Sequence, residues 1–423
     1  MTLKYKLITG TKDILPQESY LWQYLEASAR ELFHLYGYQE IRTPIMETTE
    51  LFSRSVGNAT DIVEKEMYTF EDRDGQSVSL RPEETAGVVR AYLENGLYSN
   101  QSLNKLYYMG PMFRRERPQA GRYRQFHQIG AEFIGSYLPS ADFEVIMWLN
   151  EYFKKIKITD IVLQINSAGC EKCRPGYSMT LKESLESKIG TMCADCQRRF
   201  KRNIFRVLDC KLDQCKKTIS ELPVITESLC TDCSAHFGDL KKMLDAEGIK
   251  YTINPHLVRG LDYYTRTVFE VLHTGLGSQN AVAAGGRYDL LIQDMGGLPT
   301  GAVGFSIGEE RLTMVMQNLN IVVPQEKINV YFVSLDKESY AKNLEQMYLL
   351  RKDGISADID YEQKSLKAQM RIANKLSAKY VVIRGEEELK TEVATVKNMQ
   401  DGTEEKIGDK VFVDEMNKRI GKG

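Results

Sequence analysis

Phe113-Arg114-Arg115-Glu116-Arg117, then Gly121-Arg122-Tyr123-Arg124-Gln125-Phe126-His127-Gln128-Ile129-Gly130-Ala131-Glu132-Phe133-Ile134, reads as the middle of a long antiparallel hairpin. Leu106 to Phe113 and Phe126 to Ile134 are strand-like runs, and the loop between them, Arg115 to Arg124, contains Pro118 and Gly121. Side chains alternate along a strand, so Phe126, Gln128, Gly130 and Glu132 share one face while Ile129, Ala131 and Phe133 share the other, with His127 on their side. The second face is a core face. The first joins an aromatic platform, an amide, a carboxylate and an empty glycine position, and two readings fit it: the floor of a pocket for a polar ligand, or the solvated face of an antiparallel sheet.

Arg114, Arg115, Arg117, Arg122 and Arg124 crowd guanidinium groups around this hairpin. Planar forks suit phosphate and carboxylate, and a clefted cluster without an anion would repel itself. The alternative is an exposed cluster screened by salt.

Outward from the hairpin, Leu21, Leu25, Ala29, Leu32, Phe33 and Tyr36 recur at helical spacing, predicting an amphipathic helix from Glu18 to Tyr36 that Gly37 ends. Ile41-Arg42-Thr43-Pro44 belongs at an edge or an interface, because proline donates nothing to a ladder. Strand character returns at His256 to Leu272 and near Gly301 to Phe305, with a helix from Gly308 onward. After a polar link from Asn318 to Lys327, Ile328 to Ser334 opens a strand–helix alternation lasting to about Ile383, which predicts a separate small α/β domain.

At 423 residues the chain should bury more than one core, and 56 Lys plus Arg against 58 Asp plus Glu leave no global positive field. Any nucleic-acid contact is therefore local. The first residues lack a signal-peptide plan and no segment has the apolar length of a membrane span, so a cytoplasmic address is expected, with no membrane. Neither a Walker loop nor a Ser-His-Asp arrangement occurs, which leaves hydrolase and P-loop readings without support.

All eight cysteines lie between Cys170 and Cys233. Cys170 and Cys173, Cys193 and Cys196, and Cys230 and Cys233 are C-x-x-C pairs, joined by Cys210 and Cys215, in a helical stretch with a basic run from Arg198 to Lys217. Eight thiolates could hold two tetrahedral zinc ions, and free buried cysteine fits as well. The run Arg198, Arg199, Lys201, Arg202, Arg206 and Lys211 is open to two readings, phosphate contact or a solvated helix face.

The hairpin sequence from Phe113 to Gln128 resembles motif 2 of the histidyl-tRNA synthetases, a class II aminoacyl-tRNA synthetase family. Leu257-Val258-Arg259-Gly260-Leu261-Asp262-Tyr263-Tyr264-Thr265 and Ala284-Gly285-Gly286-Arg287-Tyr288-Asp289 are similar to the peptides that mark histidine enzymes. Gly304 to Leu312 resembles motif 3, the Pro44 segment resembles the motif 1 interface, and Thr9 to Pro16 resembles the family's opening. The likeness runs through essentially the whole chain.

The resemblance implies an α/β (α+β) fold: an antiparallel-sheet catalytic domain (1–168 and 251–320) interrupted by a helical cysteine-rich insertion (169–250), then a C-terminal α/β anticodon-binding domain (327–423). It implies a homodimer that uses ATP with Mg2+ to activate L-histidine and transfer it to tRNA(His). In that scheme Arg114 and Arg259 serve catalysis at the α-phosphate. ATP would meet Arg114, Glu116, Arg122, Phe126 and Arg311. Histidine would meet Glu83, Thr85, Gln128, Glu132, Arg259, Tyr263, Tyr264 and Tyr288, with Glu132 and Tyr264 at the imidazole. Many family members have the insertion without its cysteines, so zinc would be structural. Two departures stand out, Glu84 where the family is often small and Glu309 where it is often apolar. The alternatives are a non-catalytic histidine-binding regulatory relative, which generally lacks the C-terminal domain, and a class II synthetase for another amino acid.

Overall fold

The computed structural model describes residues 4–57, 60–277, 280–325 and 327–421. The chain divides into two compact units, Met1–Val323 and Pro324–Gly423.

The first unit is built on an eight-stranded sheet whose order across the sheet is Gln39–Glu40, Asn104–Phe113, Gln125–Ile134, Ala302–Gly308, Ala281–Arg287, Thr265–His273, Ile161–Ser167 and Tyr251–Ile253. The six central strands are antiparallel, and only the two short edge strands pair in parallel. Helix Pro16–Leu35 starts on proline, whose missing N–H costs nothing in a first turn, and buries Leu21, Leu25, Ala29, Leu32 and Phe33. With helices Pro139–Lys155 and Glu309–Asn318 it covers one sheet face, over Ile129, Ala131, Phe133, Phe269, Phe305 and Ile307. Phe33 stacks on both Tyr107 and Trp148 in this layer.

Two sequence expectations change here. The strand expected over His256 to Leu272 occupies only Thr265–His273; before it the chain is a loop in which consecutive Tyr263 and Tyr264 are both buried, which an alternating strand could not arrange against one layer. The insertion expected over 169–250 ends earlier, because helix Thr231–Ala246 packs Phe237, Leu240 and Leu244 into the main core beside Val145 and Leu149. The cysteine-rich module lies within the first compact unit and has its own small apolar cluster around Tyr177, Leu181, Leu185 and Val207.

The second unit is a five-stranded sheet, in the order Ala357–Ile359, Val330–Ser334, Tyr380–Arg384, Val393–Asn398 and Glu404–Gly408. Its first three strands are parallel and the last two antiparallel. The alternation read to Ile383 therefore covers only the parallel half. Buried Arg384 fastens the unit by donating to Asn343 Oδ1 at 2.9 Å, Gln346 Oε1 at 2.6 Å and Asp409 Oδ1 at 2.5 Å.

Candidate active site

A cavity of about 420 Å3 opens over the sheet face that carries Phe126, Gln128 and Glu132. Register explains why there is room. Glu132 lies opposite Gly304, and Gly304 opposite Gly286, so a carboxylate is followed across the sheet by two residues without side chains. A Cβ at Gly304 would overlap Glu132 Oε2, and one at Gly286 would stand 2.8 Å from the Tyr264 ring. Both glycines are thus required by side chains lying flat over their backbone.

One end of the cavity is acidic and phenolic. Glu132 is buried and accepts hydrogen bonds from the Thr85 hydroxyl at 2.7 Å and the Tyr288 hydroxyl at 2.5 Å. Burial pushes its carboxyl up to about 8; the two hydroxyls pull the other way, and nearby Glu83 and Glu84 add to the rise. Glu83 accepts the Thr85 and Ala86 backbone N–H groups, each at 2.9 Å, at the start of helix Thr85–Glu94, and burial raises its carboxyl too. Tyr263 donates to Glu83 Oε2 at 3.4 Å. Glu84, beside them, pairs with Arg81 at 2.8 Å and accepts from the Thr43 hydroxyl at 2.5 Å; burial lifts it to about 7. Three buried carboxyls paired with one guanidinium make this end a place for a cation or a donor-rich ring.

The opposite end is cationic. Arg114 Nε donates to the Pro82 carbonyl at 2.8 Å, and its guanidinium carbon stands 5.2 Å from the Phe126 ring centroid. Arg122 Nε is 3.0 Å from Glu116 Oε2, and Arg311 donates to the carbonyls of Gly121 at 3.3 Å and Ala281 at 2.5 Å. Burial and then the neighbouring Arg122 lower the Arg311 guanidinium from its ordinary value. Arg114, Arg122 and Arg311 surround one carboxylate, Glu116, so positive charge remains for an anion.

Arg259 stands in the same cavity with Nη1 donating to Glu270 Oε1 at 2.8 Å, while its buried Nε has no partner among the described residues. An unpartnered buried guanidinium N–H is costly without a ligand and useful with one. Tyr264, expected with Glu132 at the imidazole, lines the same cavity and packs against Tyr263 at 4.8 Å between ring centroids, while Tyr288 is the phenol that hydrogen-bonds Glu132 directly. His127 lies on the core side, edge-on to Trp22, its backbone N–H and Nδ1 both facing Glu310.

Several residues here were not singled out from sequence. Glu270, on strand Thr265–His273, could have been found as the charged residue within the apolar run Val268, Phe269, Val271 and Leu272. Arg287, in the same peptide as Tyr288, is wholly buried and pairs with Asp142 at 2.7 Å and Asp289 at 2.8 Å. Nothing local signals Asp142. Leu208, Asp209, Cys210, Lys211 and Lys216 of the cysteine module also line the cavity. The basic run itself is largely occupied within the chain: Arg199 and Arg206 lie 3.0 and 3.5 Å from Asp61, Arg202 pairs with Glu64, and Arg198 pairs with Asp195 at 2.8 Å. The cysteines gather into two sets of four, Cys170, Cys173, Cys230 and Cys233, and Cys193, Cys196, Cys210 and Cys215.

A mostly antiparallel sheet with this arginine hairpin on its open face, in a chain that continues into a five-stranded α/β unit, is the build of a class II aminoacyl-tRNA synthetase. The histidyl-tRNA synthetase family model matches residues 10–312, and an anticodon binding domain model matches residues 321–419. A histidine–tRNA ligase of Thermodesulfovibrio yellowstonii is 48% identical over 403 residues, covering 95% of this chain and 96% of that protein. One from Halothermothrix orenii is 47% identical over 412 residues, covering 97% and 98%. The crystal structure of apo histidyl-tRNA synthetase from S. aureus superposes with a TM-score of 0.83 at 36% identity, covering 97% of this chain and 99% of that one. The chain belongs to the histidyl-tRNA synthetase family. A Bacillus halodurans structure described as an ATP phosphoribosyltransferase regulatory subunit/histidyl-tRNA synthetase shares the fold alone, at 21% identity and a TM-score of 0.66, covering 91% of this chain and 99% of that one.

Proposed function

We propose that histidine occupies the acidic end of the cavity and ATP the guanidinium end, so that the carboxylate of one meets the α-phosphate of the other beside Arg259. The chain is a histidine–tRNA ligase, an enzyme that uses ATP with Mg2+, histidine and tRNA. In the first step the histidine carboxylate attacks the α-phosphorus, the bond to the bridging oxygen breaks, and pyrophosphate leaves with histidyl-adenylate formed. In the second a terminal ribose hydroxyl of tRNA(His) takes the histidyl group and AMP departs.

The observation that carries this placement is the pairing of Glu132 with hydroxyls of Thr85 and Tyr288 in the cavity that also holds Arg259 and Arg114. A carboxyl and a phenol can engage the two nitrogens of an imidazole, and a site built on such bonds rejects side chains that lack them. Glu83, Thr85, Gln128 and Tyr263 surround the ammonium end, with Tyr264 beside Arg259. Phe126 offers a stacking face to adenine, Arg311 the other side and the terminal phosphate, and Glu116 with Arg122 orient the motif 2 loop. Arg114 and Arg259 act electrostatically, as fixed cations where negative charge builds during displacement of pyrophosphate. Magnesium travels with the nucleotide and screens its phosphates. The test is ATP–pyrophosphate exchange, expected to depend on histidine alone among the standard amino acids; exchange driven by proline or threonine overturns the assignment.

A regulatory role without catalysis is disfavoured because Arg114, Arg259 and Arg311 are all retained and a complete second unit follows. That unit reads the anticodon. A homodimer through the Ile41–Pro44 region is supported by the apolar side chains of Ile45, Met46 and Phe70 standing exposed on the adjoining three-stranded sheet. Among the described residues no helix is long and apolar enough to cross a membrane, and charging tRNA places the enzyme in the cytoplasm. Structural zinc in the cysteine module is supported by the gathering of all eight sulfurs into two sets of four.

A further inference from the structure

We infer that the module holds two zinc ions in two unlike sites, and that the second site builds one wall of the substrate cavity. The inference rests on the zinc reading above and adds its stoichiometry, its pairing and its consequence for catalysis.

The sulfur geometry favours metal over packing of free thiols. Within each set all four sulfurs lie within 4.8 Å of one another. A tetrahedral ion with Zn–S near 2.3 Å separates its sulfurs by about 3.8 Å. Cys170 Sγ is 3.7 Å from Cys173 Sγ and 3.8 Å from Cys230 Sγ, and Cys193 Sγ is 3.8 Å from Cys210 Sγ. A disulfide would need about 2.05 Å. Backbone N–H groups point at these sulfurs, from Cys230 to Cys173 at 3.1 Å, Cys193 to Cys215 at 3.4 Å and Cys196 to Cys193 at 3.5 Å, as they do where a thiolate is to be stabilised.

The two sites close different parts of the chain. Cys170 and Cys173 follow strand Ile161–Ser167, while Cys230 and Cys233 open helix Thr231–Ala246, so the first site joins the exit and re-entry points of the module. Holding that long loop shut restricts the unfolded chain most. The second site closes only the inner segment, where regular structure is short: helices Ala194–Arg202 and Asp213–Ile219 with a 3-10 turn between them. Its ligand Cys210 lines the substrate cavity, as do Leu208, Asp209, Lys211 and Lys216 around it. Arg206, just before, donates to the Arg259 carbonyl at 3.4 Å. With so little helix to hold it, this wall takes its position from the four sulfurs.

Metal analysis of the full-length enzyme should give two zinc ions per chain, and Cys170→Ser/Cys173→Ser and Cys193→Ser/Cys196→Ser should each retain one. The second variant should raise the KM for ATP in histidine-dependent exchange by about tenfold, the scale seen when metal-site support is removed. In cobalt-substituted enzyme whose first site carries the serines, adding ATP should shift the visible cobalt–thiolate bands; with the second site mutated it should not. This spectroscopic arm needs no turnover and works if the exchange assay is limited by folding. A native zinc content below ~0.2 per chain ends the metal reading. Two zinc ions with cobalt bands indifferent to ATP and an unchanged KM overturn the cavity wall and leave the zinc reading standing. Exchange that ignores histidine in the native enzyme fails the functional reading instead.

Discussion

Tyr288 donates its hydroxyl hydrogen to Glu132 at 2.5 Å, across 156 positions of sequence, with both side chains buried at the floor of the cavity. The bond places a carboxyl and a phenol together at the end of the cavity farthest in chemical character from the arginine hairpin. It also sets what should happen when either is changed.

Glu132→Gln keeps the shape but leaves one acceptor oxygen where Thr85 and Tyr288 each donate to a separate one, and it removes the ionisable group. The KM for histidine in pyrophosphate exchange should rise by roughly 30- to 150-fold, corresponding to about 2–3 kcal/mol for a charged hydrogen bond in a buried site. The KM for ATP should change little. An equal loss for both substrates would place Glu132 outside the amino-acid subsite.

The same burial gives the ligand-free enzyme a pH signature. Glu132 and Glu84 are raised from an ordinary 4.5 to about 8 and about 7, so the folded chain holds these protons more tightly than the unfolded chain. Their contribution to stability is fully present below the ordinary carboxyl value and is lost as pH rises, through about 7 for Glu84 and about 8 for Glu132. The Tm should therefore fall from about pH 5 to about pH 8 on the order of several degrees and level off above, and Glu132→Gln should flatten that fall. A wild-type slope shared unchanged by the variant would refute the attribution.

Arg259→Ala should lower kcat for adenylate formation by about 10²–10³, or roughly 3–4 kcal/mol, as when one preorganised donor to a developing charge is lost. Circular dichroism and urea midpoint should stay near those of the native enzyme, since Arg259 pairs with a single partly exposed carboxylate, Glu270. Near-normal single-turnover rates would remove Arg259 from the chemistry.

Arg287→Ala should behave in the opposite way. It leaves Asp142 buried beside Asp289 without its guanidinium, and stability should drop by about 3–5 kcal/mol in urea titration. A midpoint within error of wild type would argue that this buried pair carries no net stabilisation.

Much of the site was legible because it lies on one hairpin. Phe126, Gln128 and Glu132 line the cavity, as period-two alternation requires, and His127 turns to the core. The arginine loop, the helix ending at Leu35 and the parallel half of the second unit also followed from spacing and turn residues. What escaped was long-range: the antiparallel strands Val393–Asn398 and Glu404–Gly408, the transfer of helix Thr231–Ala246 to the main core, and the use of Arg199, Arg202 and Arg206 as partners for Asp61 and Glu64.

Local pattern alone determined which residues share a strand face, where turns fall and which chemistry clusters on the hairpin, because backbone sterics and side-chain alternation act over a few residues. The closure of Tyr288 on Glu132, the sorting of eight cysteines into two sets and the burial of Arg287 against Asp142 were decided only when distant segments packed. Each depends on register and burial between parts of the chain far apart in sequence, and on the strength that a charge or hydrogen bond acquires once water is excluded.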